Sequence, residues 1–126
     1  MIQSGKLKLN EQVVHGPAGD ILVVALRGEL SLGKESVLLR DHLRNRLDGG
    51  SHHILLDLEK ITYMDSTGIG VLVELKAHAV HGNGDLRLCR SPSFVTKILY
   101  RLALHRILEV FETEEAAMVG WGSPSA

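Results

Sequence analysis

One cysteine, one tryptophan, two tyrosines and two phenylalanines are all that 126 residues contain of those types. Cys89 alone excludes an intramolecular disulfide and a cysteine-built zinc site, and a single thiol fits a reducing compartment. With aromatics at 4%, there is little material for a base-stacking platform. Neither sign of charge prevails: the net charge is -1, which leaves no basic footprint for nucleic acid. No apolar run approaches the roughly 18 to 20 residues that span a bilayer. The first residues, Met1-Ile2-Gln3-Ser4-Gly5-Lys6, lack the apolar core of a secretory signal. The expectation is a soluble cytoplasmic protein with no nucleic-acid partner and no membrane insertion.

The spacings of several chemistries are missing too. Gly68-Ile69-Gly70 is no G-x-G-x-x-G and no phosphate-loop lysine accompanies it, so no nucleotide cradle is indicated. Ser66 lies on no Gly-x-Ser-x-Gly elbow, and no catalytic residue is assigned. Seven histidines include His78 and His81, three apart, and the pair His52-His53. No His-Glu-x-x-His or cysteine-pair spacing joins them, so solvated histidines are expected rather than a metal site. No cofactor is expected. Cys89, in a short apolar run, reads as inert core.

What is present describes one ordinary domain. Hydrophobic content of 44% with 23% charge is globular, and a chain this long buries about two thirds of its unfolded surface without staples. Residues 6–14 alternate loosely and read as an edge strand. Gly16-Pro17-Ala18-Gly19-Asp20 turns the chain into a hairpin. The continuous apolar run at 21–26 predicts a strand covered on both faces. Ser31 or Gly33 starts a helix carrying Leu39, Leu43 and Leu47 with Val37 and Leu38, which Asp48-Gly49-Gly50 ends. Residues 54–58 form the next strand. Residues 66–81 carry Ile69, Leu72, Val73, Lys76, Ala79 and Val80 at helical spacing, and Gly82-Asn83-Gly84 stops them.

Residues 86–89 are a short strand. Ser91-Pro92 then supplies an N-cap and a first-turn proline for a helix bearing Phe94, Ile98, Leu99 and Leu102. Residues 106–111 predict a last strand, and Thr113-Glu114-Glu115 opens a short helix through Met118. Strands alternating with helices predict an α/β fold, a mixed and mostly parallel sheet flanked by about four helices. Residues 1–119 form the domain and 120–126 a flexible tail.

The sharpest local feature is Asp65-Ser66-Thr67-Gly68-Ile69-Gly70, which opens a helix directly after a strand. A serine there either caps free N–H groups, worth about 1 kcal/mol, or receives a phosphate. Gly68 and Gly70 each weaken a helix by roughly 1 kcal/mol relative to alanine, which pure stability does not choose. They leave the backbone bare for an approaching active site. Asp65 either orients the Ser66 hydroxyl or complements the helix dipole, and Thr67 supports the helix start.

Together with Leu26-Arg27-Gly28-Glu29-Leu30, this hexapeptide resembles the STAS family of anti-sigma factor antagonists. The resemblance covers about residues 7–118. It implies a non-enzymatic bacterial phosphoprotein that regulates transcription by partner switching. Unmodified, such a protein binds an anti-sigma factor that is also a serine protein kinase and so frees a sigma factor. Phosphorylation of Ser66 switches it off, and a metal-dependent serine phosphatase restores it. The resemblance places Asp65, Thr67, Gly68, Gly70 and Ser31 in support of the phosphosite, and Glu29, Asp65, Ser66, Thr67 and Ile69 against the partner. Ser31 stands where many members carry an aspartate; a hydroxyl hydrogen-bonds but does not orient the site as a carboxylate would. Two other readings are a non-phosphorylated scaffold subunit, of a stressosome-like or lipid-transport ATPase complex, and a small nucleotide-binding α/β protein.

Overall fold

A computed structural model describes residues 1–16 and 19–121. Strands β1 (Ile2–Ser4), β2 (Leu7–Gly16) and β3 (Gly19–Leu30) lead into helix α1 (Lys34–Asp48). Strand β4 (His53–Met64), helix α2 (Ser66–His81), strand β5 (Asp85–Cys89) and helix α3 (Ser93–Arg101) follow. A 3₁₀ turn (Leu104–Arg106), strand β6 (Val110–Phe111) and helix α4 (Glu114–Ala117) complete the order. The sheet runs β1-β2-β3-β4-β5-β6, antiparallel through β3 and parallel from there. This is the mixed, mostly parallel α/β sheet with four helices that the alternation predicts.

Strand order equal to chain order has a consequence. Right-handed crossovers between successive neighbours all step the same way, which puts α1, α2 and α3 on one face. The main core lies there, with Leu22, Val24 and Leu26 of β3 and Ile54, Leu56 and Leu58 of β4 against Leu39 and Leu43 of α1 and Leu72 and Leu75 of α2. The other face holds a smaller cluster of Ile21, Val23, Leu55 and Cys89, covered by Ala117 and Trp121. The run at 21–26 is apolar throughout because both faces are packed. Burial pushes the Cys89 thiol up to about 12, so it stays protonated and inert.

Several expectations are corrected. The strand expected at the edge is only partly so: β1 pairs outside the first part of β2, in the register Ile2↔Leu9, so β2 is an edge only from Asn10 onward. The tight turn at Gly5 (φ 56) makes this possible, and the buried Glu35 accepts from the Lys6 N–H at 3.0 Å to hold it on α1. The expected strand at 106–111 shrinks to Val110 and Phe111. Ala103 is left-handed (φ 58), and the Ile107 and Leu108 N–H groups both donate to the Leu104 carbonyl, so the chain is coiled there. Helix α3 is capped at Pro92 rather than Ser91, and Leu102 lies beyond its end, 54% exposed. Val37 and Val80 face solvent; Val71 and Leu75 take the core positions on α2.

Within the expected tail at 120–126, Trp121 is buried. It is 4% exposed, lies tilted against His53 with ring centroids 4.9 Å apart and stands 4.4 Å from the Arg87 guanidinium. Arg87 Nη1 donates to the Ala117 and Val119 carbonyls at 2.8 and 2.7 Å, tying down the end of α4. Residues 122–126 lie outside the described residues. At the other end of α4, Arg90 pairs with the buried Asp57 and with Glu114. Burial pushes the Asp57 carboxyl up, but Arg90 and the Glu59 N–H outweigh it and hold it below the usual range. Trp121→Ala is expected to cost about 3 kcal/mol in urea unfolding and to expose Cys89 to a thiol reagent. A change within a few tenths would show that the residue only rests on the surface.

Candidate functional site

The end of the sheet where β3 and β4 finish is built around one carboxylate. Asp65 leaves β4 in extended conformation and caps α2: its Oδ1 accepts from the Gly68 N–H at 2.9 Å. Its Oδ2 accepts from the Leu32 N–H, also at 2.9 Å, in the loop between β3 and α1. Burial pushes the Asp65 carboxyl up, but the Leu32, Gly68 and Thr67 N–H groups outweigh it and hold the carboxyl below the usual aspartate range. Asp65 is therefore charged, doubly bonded and spoken for.

That arrangement takes the capping role away from Ser66. It is the first residue of α2 and exposed, and the capping bond belongs to its neighbour. Its hydroxyl is left free of the cap's work, beside the positive end of a helix of 16 residues. Thr67 is half-buried on the same turn.

The two glycines differ. A Cβ on Gly68 would meet the Leu30 carbonyl oxygen at 2.5 Å and the Leu30 and Met64 side chains at 2.9 and 3.0 Å. Gly68 is buried and lets α2 approach the end of β3; it does not bare the helix for a partner. Gly70 is exposed with open space around it, as a bare approach requires. Ile69 is 3% exposed and packs in the main core, so its expected place against a partner is corrected: helical geometry turns it inward when Ser66 points outward.

Glu29 sits at the end of β3 opposite Tyr63 of β4, half-buried and 3.9 Å from the Lys6 amine. Gly28 before it has φ 104, and a Cβ there would stand 1.9 Å from the Lys6 carbonyl oxygen. Only glycine fits this irregularity of the β3–β4 register. Ser31 follows β3, and its carbonyl accepts from the Ser36 hydroxyl, closing the first turn of α1 from below. It is linked to Asp65 through the next residue, Leu32, rather than through a carboxylate of its own.

Two exposed apolar residues at this end escaped the sequence reading. Leu32 is 75% exposed and Tyr63 50% exposed. Leu32, an apolar residue in a strand-to-helix loop, was the available signal; Tyr63 was hidden in a run that reads as plain strand. A cavity of about 560 Å³ lies at the opposite ends of β3 and β4, lined by Gly19, Arg46, Gly50, His52 and Asn83, away from Ser66. Asp57, Cys89 and Glu114 bring possible ligand atoms within 4.8 Å of one another. Arg90 pairs with both carboxylates, Glu114 shares a hydrogen bond with Asp57 that pushes the Glu114 carboxyl up, and the thiol stays protonated, so this reads as an ion-pair cluster. Among the described residues no helix is long and apolar enough to cross a membrane.

Comparison with known proteins gives this geometry its family. Residues 14–117 match the STAS domain. The chain belongs to the STAS domain family. The anti-sigma F factor antagonist of Paenibacillus polymyxa is 26% identical to this STAS domain over 103 residues, 78% of this chain and 84% of that protein. A proposed anti-sigma factor antagonist of Thermotoga maritima has the same fold, with a TM-score of 0.75 at 24% identity over 88% of this chain and 92% of that one. The Bacillus cell fate determinant SpoIIAA in its phosphorylated form superposes with a TM-score of 0.69 at 20% identity, covering 89% of this chain and 97% of that one.

Two substitutions separate the glycines. Gly68→Ala is expected to destabilise by about 1 to 3 kcal/mol through overpacking, and Gly70→Ala to stabilise by up to about 1 kcal/mol. Equal effects in thermal unfolding would refute the assignment. Asp65→Asn puts an amide N–H₂ or a neutral oxygen where a carboxylate serves two donors, and is expected to cost about 1 kcal/mol at neutral pH. The Asp65 carboxyl is lowered in the folded state. Its contribution is thus complete above the ordinary aspartate value of 3.8 and fades as pH falls through the folded value. The stability gap between wild type and Asp65→Asn should close on acidification; a gap that widens would overturn the reading.

Proposed function

We propose that this STAS domain is an anti-sigma factor antagonist switched by phosphorylation of Ser66. In the unmodified state it binds an anti-sigma factor that is also a serine protein kinase, and a sigma factor is released. Phosphorylation by that kinase ends the binding, and a metal-dependent serine phosphatase resets the cycle in the cytoplasm. In this reading the chain is a substrate and binding module, not an enzyme.

The observation that carries the reading is the exposed hydroxyl of Ser66 on the first turn of α2, with the capping role taken by Asp65. If Ser66 were the cap, modifying it would remove a helix-start bond; as arranged, it costs the fold none. A phosphate adds about -1.5 to -2 charges at neutral pH, which the helix N-terminus tolerates. The partner's side of the contact does not. Leu32 and Tyr63 offer apolar area around Ser66, flanked by Glu29 and Asp65. Closing a surface over unpaired charge there costs about 2 to 5 kcal/mol, roughly 30- to several-thousand-fold in affinity. That exceeds anything a lost cap contributes, so the switch acts on binding and leaves folding alone.

Calorimetric titration of the cognate kinase against three variants tests this. Ser66→Ala should bind as tightly as the unmodified protein and resist phosphorylation. Ser66→Asp, which carries part of a phosphate's charge beside Asp65, should bind more weakly. Thr67→Ala should accept phosphate as before. Equal affinities of the alanine and aspartate forms, or phosphate mapped to Thr67, would sink the proposal.

A further inference from the structure

The face of the sheet left bare by α1, α2 and α3 carries a feature that the Ser66 switch does not use. Lys8 of β2 pairs in register with Arg27 of β3, and Arg27 pairs in register with Lys60 of β4. Three cations therefore stand side by side across three adjacent strands, spanning about 10 Å at the usual strand spacing. All three are exposed, and among the described residues none is ion-paired. Their strand neighbours, Leu7, Leu9 and Leu26, point into the main core, which fixes the row on the opposite face.

Like charges directly opposite one another on a sheet are destabilising. Among the described residues no carboxylate is paired with any of the three. The carboxylates nearest the row are taken elsewhere: Arg90 holds Asp57, and its Nη1 lies 3.3 Å from Glu59 Oε2. Arg27 and Lys60 instead line a cavity of about 250 Å³ with Asn10, Ala25 and the ion-paired Asp57, Glu59 and Arg90. The small side chain of Ala25, two residues along β3 from Arg27, leaves room beside the row, and Asn10 opposite it adds a hydrogen-bonding group.

We propose that this row is a docking strip for an acidic segment of a partner protein, on a face separate from Ser66. Carboxylates on an extended segment crossing the strands would meet Lys8, Arg27 and Lys60 in turn. A peptide is favoured over a flat anionic surface because Glu59 lies in the same cavity, where a continuous sheet of negative charge would be pressed onto it. The chain's net charge of -1 also gives no general attraction to polyanions, so the attraction is local to the strip.

The probe is a fluorescein-labelled octaglutamate peptide, titrated with the full chain and followed by anisotropy at about 20 and about 150 mM salt. Wild type should bind, more weakly at the higher salt. Lys8→Gln/Arg27→Gln/Lys60→Gln should lose at least about tenfold in affinity, and Arg27→Gln alone, which removes the centre of the row, should lose part of it. Lys97→Gln/Arg101→Gln/Arg106→Gln, with the same change in net charge, should bind as wild type does. Ser66→Asp should leave peptide binding unchanged, which keeps this test distinct from that of the switch. Because the row is self-repelling, its triple variant should melt no lower than wild type. Equal loss in the two triple variants, no binding by wild type at low salt, or a lowered melting temperature of the row variant would overturn the proposal. So would a row-dependent affinity for phosphatidylserine vesicles without one for the peptide.

Discussion

The two hydrogen bonds of the Asp65 carboxylate are the constraint on which the functional end of this molecule depends. One oxygen holds the first turn of α2 and the other holds the loop that leads from β3 into α1. The Asp65 N–H reaches the Leu30 carbonyl at 3.4 Å, and Gly68 lets the helix settle against that same residue. A single residue thus joins elements more than thirty positions apart in the chain, and Ser66 and Leu32 keep their relation to each other through it. Removing the carboxylate would leave two backbone donors competing for other partners. Ser66, the nearest hydroxyl, would then be drawn into capping and out of solvent.

What the amino-acid pattern reveals and what it hides divide along range. The limits of α2 are legible because both are local: a polar residue before Ser66 and a glycine at position 82. The hairpin between β2 and β3 and the doubly covered run at 21–26 are legible for the same reason, through turn residues and an unbroken apolar stretch. Hidden are the features that depend on a distant partner. Strand β1 is three residues long and exists because β2 offers an edge. Trp121 is buried only because Arg87 and His53 lie across the sheet from the chain's end. At the site, the residue pattern singles out Asp65 and Ser66, yet it leaves Asp65 between two roles. The bond to the Leu32 N–H that decides the matter spans 33 positions. Ile69 and Gly68 were misplaced because a motif read as a string has no inside and outside; the helix supplies both.

The one-sided stacking of helices explains how so small a domain has two unlike surfaces. The helix-covered face spends its residues on the core, and the ends of β3 and β4 emerge from it as the Ser66 surface, part apolar and part acidic. The bare face is packed only at the beginnings of β3 and β4, where α4 and Trp121 lie, and is charged where those strands run on. Arg90 stands at the boundary with φ 51, an uncommon backbone state for a side-chain-bearing residue, and from there reaches Asp57, Glu59 and Glu114 at once. These carboxylates are thus paired with Arg90 and not with the cationic row beside them.

Ser31 bears on how a switch at this end would read charge. A carboxylate at that position would add to Glu29 and Asp65 and would compete with Asp65 for the Leu32 N–H next to it. With serine there, the carbonyl closes α1 through Ser36 and the Leu32 N–H goes wholly to Asp65. The end of the sheet then carries less negative charge before modification, and Asp65 is already offset by the donors it accepts from. A phosphate on Ser66 would add its roughly two charges to a surface that is part apolar and part acidic, and they are the dominant change that a partner would meet. The loss of an orienting carboxylate and the gain in contrast between the two states come from the same substitution. In the proposed switch they would act on different steps: the first on the rate at which Ser66 is modified, the second on how far binding falls once it is.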